Sequence, residues 1–331
     1  IVFKNKKSIS IGDPLRKRSF LIPTLLASVG SFSDKLKILR LNKKLKRKTL
    51  DEIFSDKEFT TLEYLNNLGF SPKIIDEFFK PFFTGIFLET DLNTSSRMFE
   101  FVYKMFGEGN AAIPKSGIGE IPKQLNEQLS STTIKLNSKV QSVKDGEIIL
   151  ENGEKLVSDY TIITSNANKL VSNLRNDLLE WKSCQTLYFK SPNRIIKKRL
   201  IGLLPEKNSL ANNIFYHTSL NTNQKSSEEL LSVTVVKEHS LSEKSLVNKI
   251  QVELLEYCGI VDLEFIKMYK IPNALPKLNN LQNEIPPSET RLTSTIFLAG
   301  DVQLNGSLNA AMLSGERAAL GVSETITNFI F

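Results

Sequence analysis

The sequence predicts an α/β chain, α+β in part, whose 331 residues make about two domains at roughly 100–200 residues each. Three observations carry that prediction. The first 130 or so residues are patterned for helices, residues 132–165 switch to short strands punctuated by turn glycines, and the chain closes on strand, Gly-Asp, glycine loop and helix. The composition, 40% hydrophobic and 24% charged, excludes wholesale disorder and fibrous classes. No apolar run reaches the roughly 18 residues of a membrane-spanning helix. The two cysteines, Cys184 and Cys258, cannot build a disulfide framework, so a reducing, cytoplasmic setting is expected. With only His217 and His239 beside them, no zinc-ligand spacing exists and no metal is expected.

In chain order, helices are predicted over 34–46, 60–67, 72–80, 96–106 and 119–130. Ser71-Pro72 makes a good start for the third, with proline at the first helical position. Ser95 can cap the fourth. The Phe-dense stretch FFKPFFTGIFLETDL (78–92) reads either as core or as the lining of an apolar substrate tunnel.

Charge is concentrated early. The chain's net +7 divides into +12 on residues 1–50 and −5 on the remainder. Its basic core, DKLKILRLNKKLKRKT (34–49), spaces Leu36 and Leu39, and Ile38, Leu41 and Leu45, for an amphipathic helix with a cationic face. Such a face is usually solvated. A peripheral contact with a membrane surface through residues 34–49 stays open beside that reading. Nucleic acid is not expected as a partner, because Lys outnumbers Arg 33 to 10 and base and phosphate readers favour Arg. The opening IVFKNKKSISIGDP starts at Ile1 and lacks the apolar core and cleavage site of a signal peptide, which suggests a processed start or a piece of a longer protein.

The middle of the chain reads as strands TTIKLNSKVQSV, EIILEN and YTIITS with tight turns at Asp145-Gly146 and Asn152-Gly153. Strand LLSVTVV (230–236), a helix over 245–259 closed by Gly259, and strand LEFIKMYKI (263–271) follow, with PNALP after it. Two domains that exchange chain are expected: 1–131 with 169–290, and 132–168 with 291–331.

The last unit carries the chemistry. Residues 295–299 form a buried strand ending in Gly300-Asp301, and ligands of α/β sheets bind at the carboxyl ends of strands. Asp301 can accept hydrogen bonds from sugar-type hydroxyls there. Gly306 lets the loop turn and the backbone approach a ligand. A helix starts near Leu308 and Asn309, and its free N–H groups favour an electron-rich oxygen. Ala311, Gly315 and Ala319, like Ala310, Ser314 and Ala318, recur every four residues, so either stripe admits a helix or a flat ring close to the backbone.

FLAGDVQLNGSLNAAMLSGERAA resembles the C-terminal flavin-binding motif of the flavin-containing amine oxidase superfamily, which includes amine oxidases, protoporphyrinogen oxidases and carotenoid desaturases. GNAAIPKSGIGEIPKQL (109–125) is similar to the family's Pro-x-Gly-Gly-Met segment, with Ser116 and Ile118 in place of a glycine and the methionine. SKVQSVKDGEIILENGEKLVSDYTIIT (138–164) resembles its adenine-side meander, and IPNALP (271–276) its Tyr-x-x-Ala-x-Pro turn. PFFTGIFLETDL is closest to the phytoene desaturase-like branch.

The resemblance implies a FAD-binding, Rossmann-like domain, N-terminally incomplete, interleaved with a substrate domain of helices and a mixed sheet. It implies an FAD-dependent oxidoreductase that moves a hydride from a small apolar or amine-type substrate to the flavin. Val140 would meet the adenine through its backbone, and Gly300 and Asp301 the pyrophosphate–ribityl region. Ser165, with Asn166, would lie near the cofactor. Ser307, Leu308 and Asn309 would lie beside the ring system, with Ala310 giving an N–H to its pyrimidine edge.

The family's opening G-x-G-x-x-G unit is not found. GEGNAA (107–112) follows a helical pattern instead of a strand and is rejected as a fingerprint. A scaffold that has lost its cofactor is therefore the alternative to the enzyme, and a membrane-surface protein a third reading. No catalytic acid or base stands out; His217 and His239 read as ordinary surface or strand residues, Trp181 and Tyr269 as core, and Cys184 as unactivated.

Overall fold

In the computed structural model the structure describes residues 1–4, 6–12, 21–172, 174, 179–222 and 228–330. The chain divides into two compact units: Ile1–Gln128 with Trp181–Leu275, and Leu129–Glu180 with Pro276–Phe331. The boundaries expected from the sequence are 131/132, 168/169 and 290/291; the compact units divide at 128/129, 180/181 and 275/276.

The first unit joins a helical layer to a seven-stranded sheet. Its helices include Phe32–Arg47, Thr61–Asn67, Lys80–Phe87 and Ser96–Glu108. Local chemistry sets their starts. Ser31, Thr49 and Thr60 each close a capping box with an acid three residues on, and Ser71 accepts the Ile74 N–H ahead of Pro72. Ser95 caps the helix after it by accepting the Arg97 N–H at 3.2 Å. The Phe-dense stretch is helical to Phe87, and Phe79, Phe83 and Phe87, four residues apart, are buried in one core with Phe99. The core reading therefore holds for those three rings. Phe78 and Phe82 are half-buried and stacked 5.7 Å apart.

The sheet contains strands Val2–Lys4, Lys7–Ile9, Trp181–Ser191, Gly202–Leu203, Ala211–Tyr216, Glu229–Val235 and Glu264–Pro276, with Glu264–Pro276 and Lys7–Ile9 at its edges. Leu187, Phe189, Ile214, Tyr216, Leu231 and Val233 point to one face and form a core with helix Glu243–Glu253. The PNALP segment, expected after the strand, continues it. Its prolines are tolerated because this strand lies at an edge, where a missing N–H breaks no ladder.

The second unit holds the three-stranded meander Val140–Lys144, Glu147–Leu150 and Lys155–Val157, with Gly146 and Gly153 at positive φ in its turns. Residues 132–139, expected as strand, lie outside it. A separate parallel pair joins Thr161–Ile163 to Ile296–Leu298. Helix Leu308–Ile330 covers that pair, burying Ala310, Ser314 and Ala318. Of the two small-residue stripes this one is the packing face. A Cβ on Gly315, in the other stripe, would meet open space.

Candidate functional site

The two parallel strands of the second unit end side by side. Leu298 lies opposite Ile163, and the Ala299 N–H donates to the Ile163 carbonyl at 2.9 Å. Ser165 and Gly300-Asp301 therefore leave the same carboxyl edge. Gly300 holds φ +126° and ψ 163°, a conformation essentially confined to glycine. A Cβ there would stand 3.5 Å from the Thr164 carbonyl. The Gly300 N–H donates to Ser314 Oγ at 2.8 Å, which ties the strand end to the covering helix.

Asp301 opens a short turn, Asp301–Gln303, whose carbonyl oxygen accepts the Leu304 and Gly306 N–H groups at 3.2 and 3.0 Å. Its carboxylate is half-buried and has no hydrogen bond or ion pair among the described residues. Gly306, at φ +72°, makes the turn back into the helix. Ser307 then caps it: Oγ accepts the Ala310 N–H at 3.1 Å and donates to Asn305 Oδ1 at 2.7 Å. The Ser307 carbonyl accepts the Ala311 N–H at 3.0 Å.

Ala310 was expected to give its N–H to the ring's pyrimidine edge. In this structure Ala310 is buried and its N–H donates to Ser307 Oγ. The first-turn N–H groups of Leu308 and Asn309 have no carbonyl of their own helix to reach, and both residues are exposed. Their N–H groups are open at this end. Ser165 is exposed on the loop after Thr161–Ile163, and Asn166 beside it accepts the Asn168 N–H at 3.1 Å. Val140 opens the meander, half-buried against Val143, Ile163 and Ile296; packing, not a hydrogen bond, links it to the strand pair. The structure thus groups Ser165, Gly300, Asp301, Ser307, Leu308 and Asn309 around one edge.

The donor set fits a flavin dinucleotide. A carboxylate with open acceptor positions suits ribityl or ribose hydroxyls. Two exposed N–H groups at the positive end of a long helix suit an electron-rich oxygen. A strand end that only glycine can occupy lets a ligand approach the backbone. The sequence, moreover, matches the model of the flavin containing amine oxidoreductases over residues 9–322. The chain belongs to the flavin containing amine oxidoreductase family. Its cofactor is accordingly the flavin, FAD, and its general class is flavin-dependent oxidoreductase.

Solved structures of this amine oxidoreductase fold superpose on most of the chain. An oxidoreductase from Methanosarcina mazei aligns with a TM-score of 0.67 at 14% identity, over 88% of this chain and 73% of that one. A protein assigned as a protoporphyrinogen oxidase from Exiguobacterium sp. 255-15 aligns at 0.63 and 14%, over 93% and 75%. Wild-type putrescine oxidase bound to putrescine aligns at 0.57 and 10%, over 91% and 76%. At such identities the likeness establishes the fold. No curated protein matches the sequence.

The sequence reading passed over a second cluster, in the first unit. There a cavity of about 320 Å³ is lined by His217, Lys190, Glu229, Leu230, Ile266 and Pro114. The His217 ring lies 5.7 Å from Tyr188 and 5.2 Å from Phe215, and Tyr188 meets Tyr269 edge-on at 5.8 Å. His217 Nε2 is 2.9 Å from Ser232 Oγ, whose hydroxyl donates to the Phe215 carbonyl at 3.3 Å. This network assigns the proton to Nε2 and leaves Nδ1 as an acceptor. Burial lowers the His217 pKa, which favours the neutral ring. Alternating residues of paired strands make this cluster, so only knowledge of strand register could have found it. Burial raises both thiols, Cys258 to about 12, so neither cysteine is an activated nucleophile.

Proposed function

We propose that this amine oxidoreductase binds FAD at the carboxyl edge of the Thr161–Ile163 and Ile296–Leu298 strands and oxidises a small apolar or amine-type substrate. The observation that carries the proposal is the convergence there of an open carboxylate, Asp301, and an open helix N-terminus, Leu308 and Asn309. When bound, the flavin supplies the two-electron acceptor for a hydride leaving the substrate.

The chain's own residues bind and orient. Asp301 accepts hydroxyl hydrogen bonds from the cofactor's sugar-type chain. Leu308 and Asn309 donate toward an electron-rich edge, where helix-end dipoles stabilise developing negative charge. Ser307 holds that turn in place by spending its own oxygen on Ala310. Gly300 keeps a side chain out of the strand end. No proton relay is needed for hydride removal.

Asp301→Ala tests the assignment. A hydrogen bond to a charged group contributes about 1.5–3 kcal/mol, so FAD should bind roughly tenfold to a hundredfold more weakly. Flavin absorbance retained through gel filtration, with a fluorescence titration, measures it. Unchanged retention would remove Asp301 from the site.

A further inference from the structure

We propose that helix Phe32–Arg47, with the short helix before it, is a docking surface for an anionic lipid membrane. The helix has two opposite faces. Leu41 and Leu45 are buried in the helical core, with Ile38 half-buried against it, and Asp34 is buried beside them. About half a turn away, Phe32, Leu36, Arg40, Lys43 and Arg47 follow one another at intervals of four, four, three and four residues, which places them in one stripe. All five are exposed, Phe32 at 65% and Leu36 at 42%. Apolar residues hold the N-terminal end of the stripe and cations the C-terminal end.

The preceding helix, Leu21–Leu26, also exposes apolar side chains, Ile22 at 68% and Leu26 at 79%. Lys35 Nζ donates to the Ala27 carbonyl at 2.7 Å and so fixes the end of that segment to the long helix.

The cations of this helix fall into two groups. Lys37 donates to the Gly69 carbonyl, Lys44 lies 3.4 Å from Glu100, and Lys48 pairs with Asp56 and Glu100. These are fastened to the fold. Arg40, Lys43, Lys46 and Arg47 are exposed and make no ion pair among the described residues. Helix propensity and solubility do not require that the unpaired cations share a stripe with exposed apolar side chains.

The chemistry of the stripe selects its partner. An acidic protein surface would satisfy the cations and strand Phe32, Leu36, Ile22 and Leu26 against polar groups. An apolar protein groove would bury unpaired cations. An interface of anionic headgroups above acyl chains takes both kinds of group at once. The charge complementarity is regional as well: residues 1–50 carry +12 and the rest of the chain −5. No helix among the described residues is long and apolar enough to cross a membrane, so the surface would lie on the bilayer.

Flotation of the full chain with vesicles tests this without reference to flavin. Vesicles of phosphatidylcholine mixed with phosphatidylserine should carry the protein, and pure phosphatidylcholine vesicles should carry much less. Each cation near the surface contributes roughly fivefold, so Arg40→Gln, Lys43→Gln and Arg47→Gln together should lower partitioning about a hundredfold. Phe32→Ser with Leu36→Ser should leave binding that high salt abolishes, where the unaltered chain retains a salt-resistant fraction. All five positions are exposed, and a circular dichroism spectrum unchanged by the substitutions shows that folding survives. The proposal fails if neither vesicle binds, if the triple variant floats as well as the parent, or if polyglutamate or duplex DNA captures the chain while the phosphatidylserine vesicles do not.

Discussion

The buried carboxylates of the first unit and the half-buried Asp301 of the second differ in what completes them. Glu253 accepts from Ser209 Oγ at 2.8 Å and from the Leu210 and Ala211 N–H groups at 2.9 Å, with Lys249 at 3.2 Å. Glu100 gathers Lys44, Lys48 and the Tyr64 hydroxyl. Asp34 is met by the N–H and hydroxyl of both Ser31 and Ser71. Burial alone would raise the Asp34 pKa; hydrogen bonds from Ser71 and Ser31 outweigh it and lower the carboxyl to about 2. Asp301 has no such partner among the described residues. A carboxylate finished by its own chain holds elements together, whereas an unfinished one at a strand end is available to something else. The charge of the residue does not separate the two roles; the count of partners does.

The largest way to break this contrast is to spoil a finished carboxylate. Glu253→Ala removes the oxygen on which the Ser209 hydroxyl and the Leu210 and Ala211 N–H groups converge, leaving buried donors unmet. Stability should fall by about 3 kcal/mol, read as a lower urea midpoint, while FAD affinity of the folded protein stays the same. A loss of flavin at unchanged stability would reverse the assignment of roles.

Gly300→Ala sharpens the other side. The added methyl clears the Thr164 carbonyl at 3.5 Å, so sterics are tolerable, but φ +126° is not a conformation alanine adopts readily. The cost is about 2 kcal/mol of stability. FAD binding should fall as well, because the methyl projects from the strand end that the cofactor approaches. Thermal melts with and without FAD separate the two effects.

The edge itself was legible in the sequence because its signals are local. Gly300, Gly306 and the helix start each announce a backbone event within a few residues, and the observed helix begins at Leu308. What could not be read was which small-residue stripe packs. The Ala310 and Ala311 stripes have the same spacing, and the choice is made by Phe297 on the strand and Ala299 just after it, which pack with Ala318. The strand Trp181–Ser191 was also missed. Polar Lys182, Cys184, Thr186 and Lys190 alternate with Gln185 and Ser183 as well as with Leu187 and Phe189, so no clean two-residue period shows. The His217 cluster needs the pairing of Ser232 with both Tyr188 and Phe215, a property of register that no segment contains alone.

The smallest expected effect asks whether the helix start is scaffold or site. Ser307→Ala removes the cap on the Ala310 N–H, at a cost of about 1 kcal/mol in stability. It also frees the Ala310 N–H, a third donor close to those of Leu308 and Asn309, and releases Asn305 Oδ1 from its hydroxyl partner. If the turn is scaffold alone, flavin affinity will track the loss of stability. If it is the cofactor's donor array, affinity will move independently: weaker where the loosened turn misplaces its donors, tighter where the freed N–H finds the ligand. A Ser307→Thr variant keeps the capping oxygen and should return both stability and affinity toward the parent, and measuring the two quantities on the same pair of variants distinguishes a fastening from a binding role.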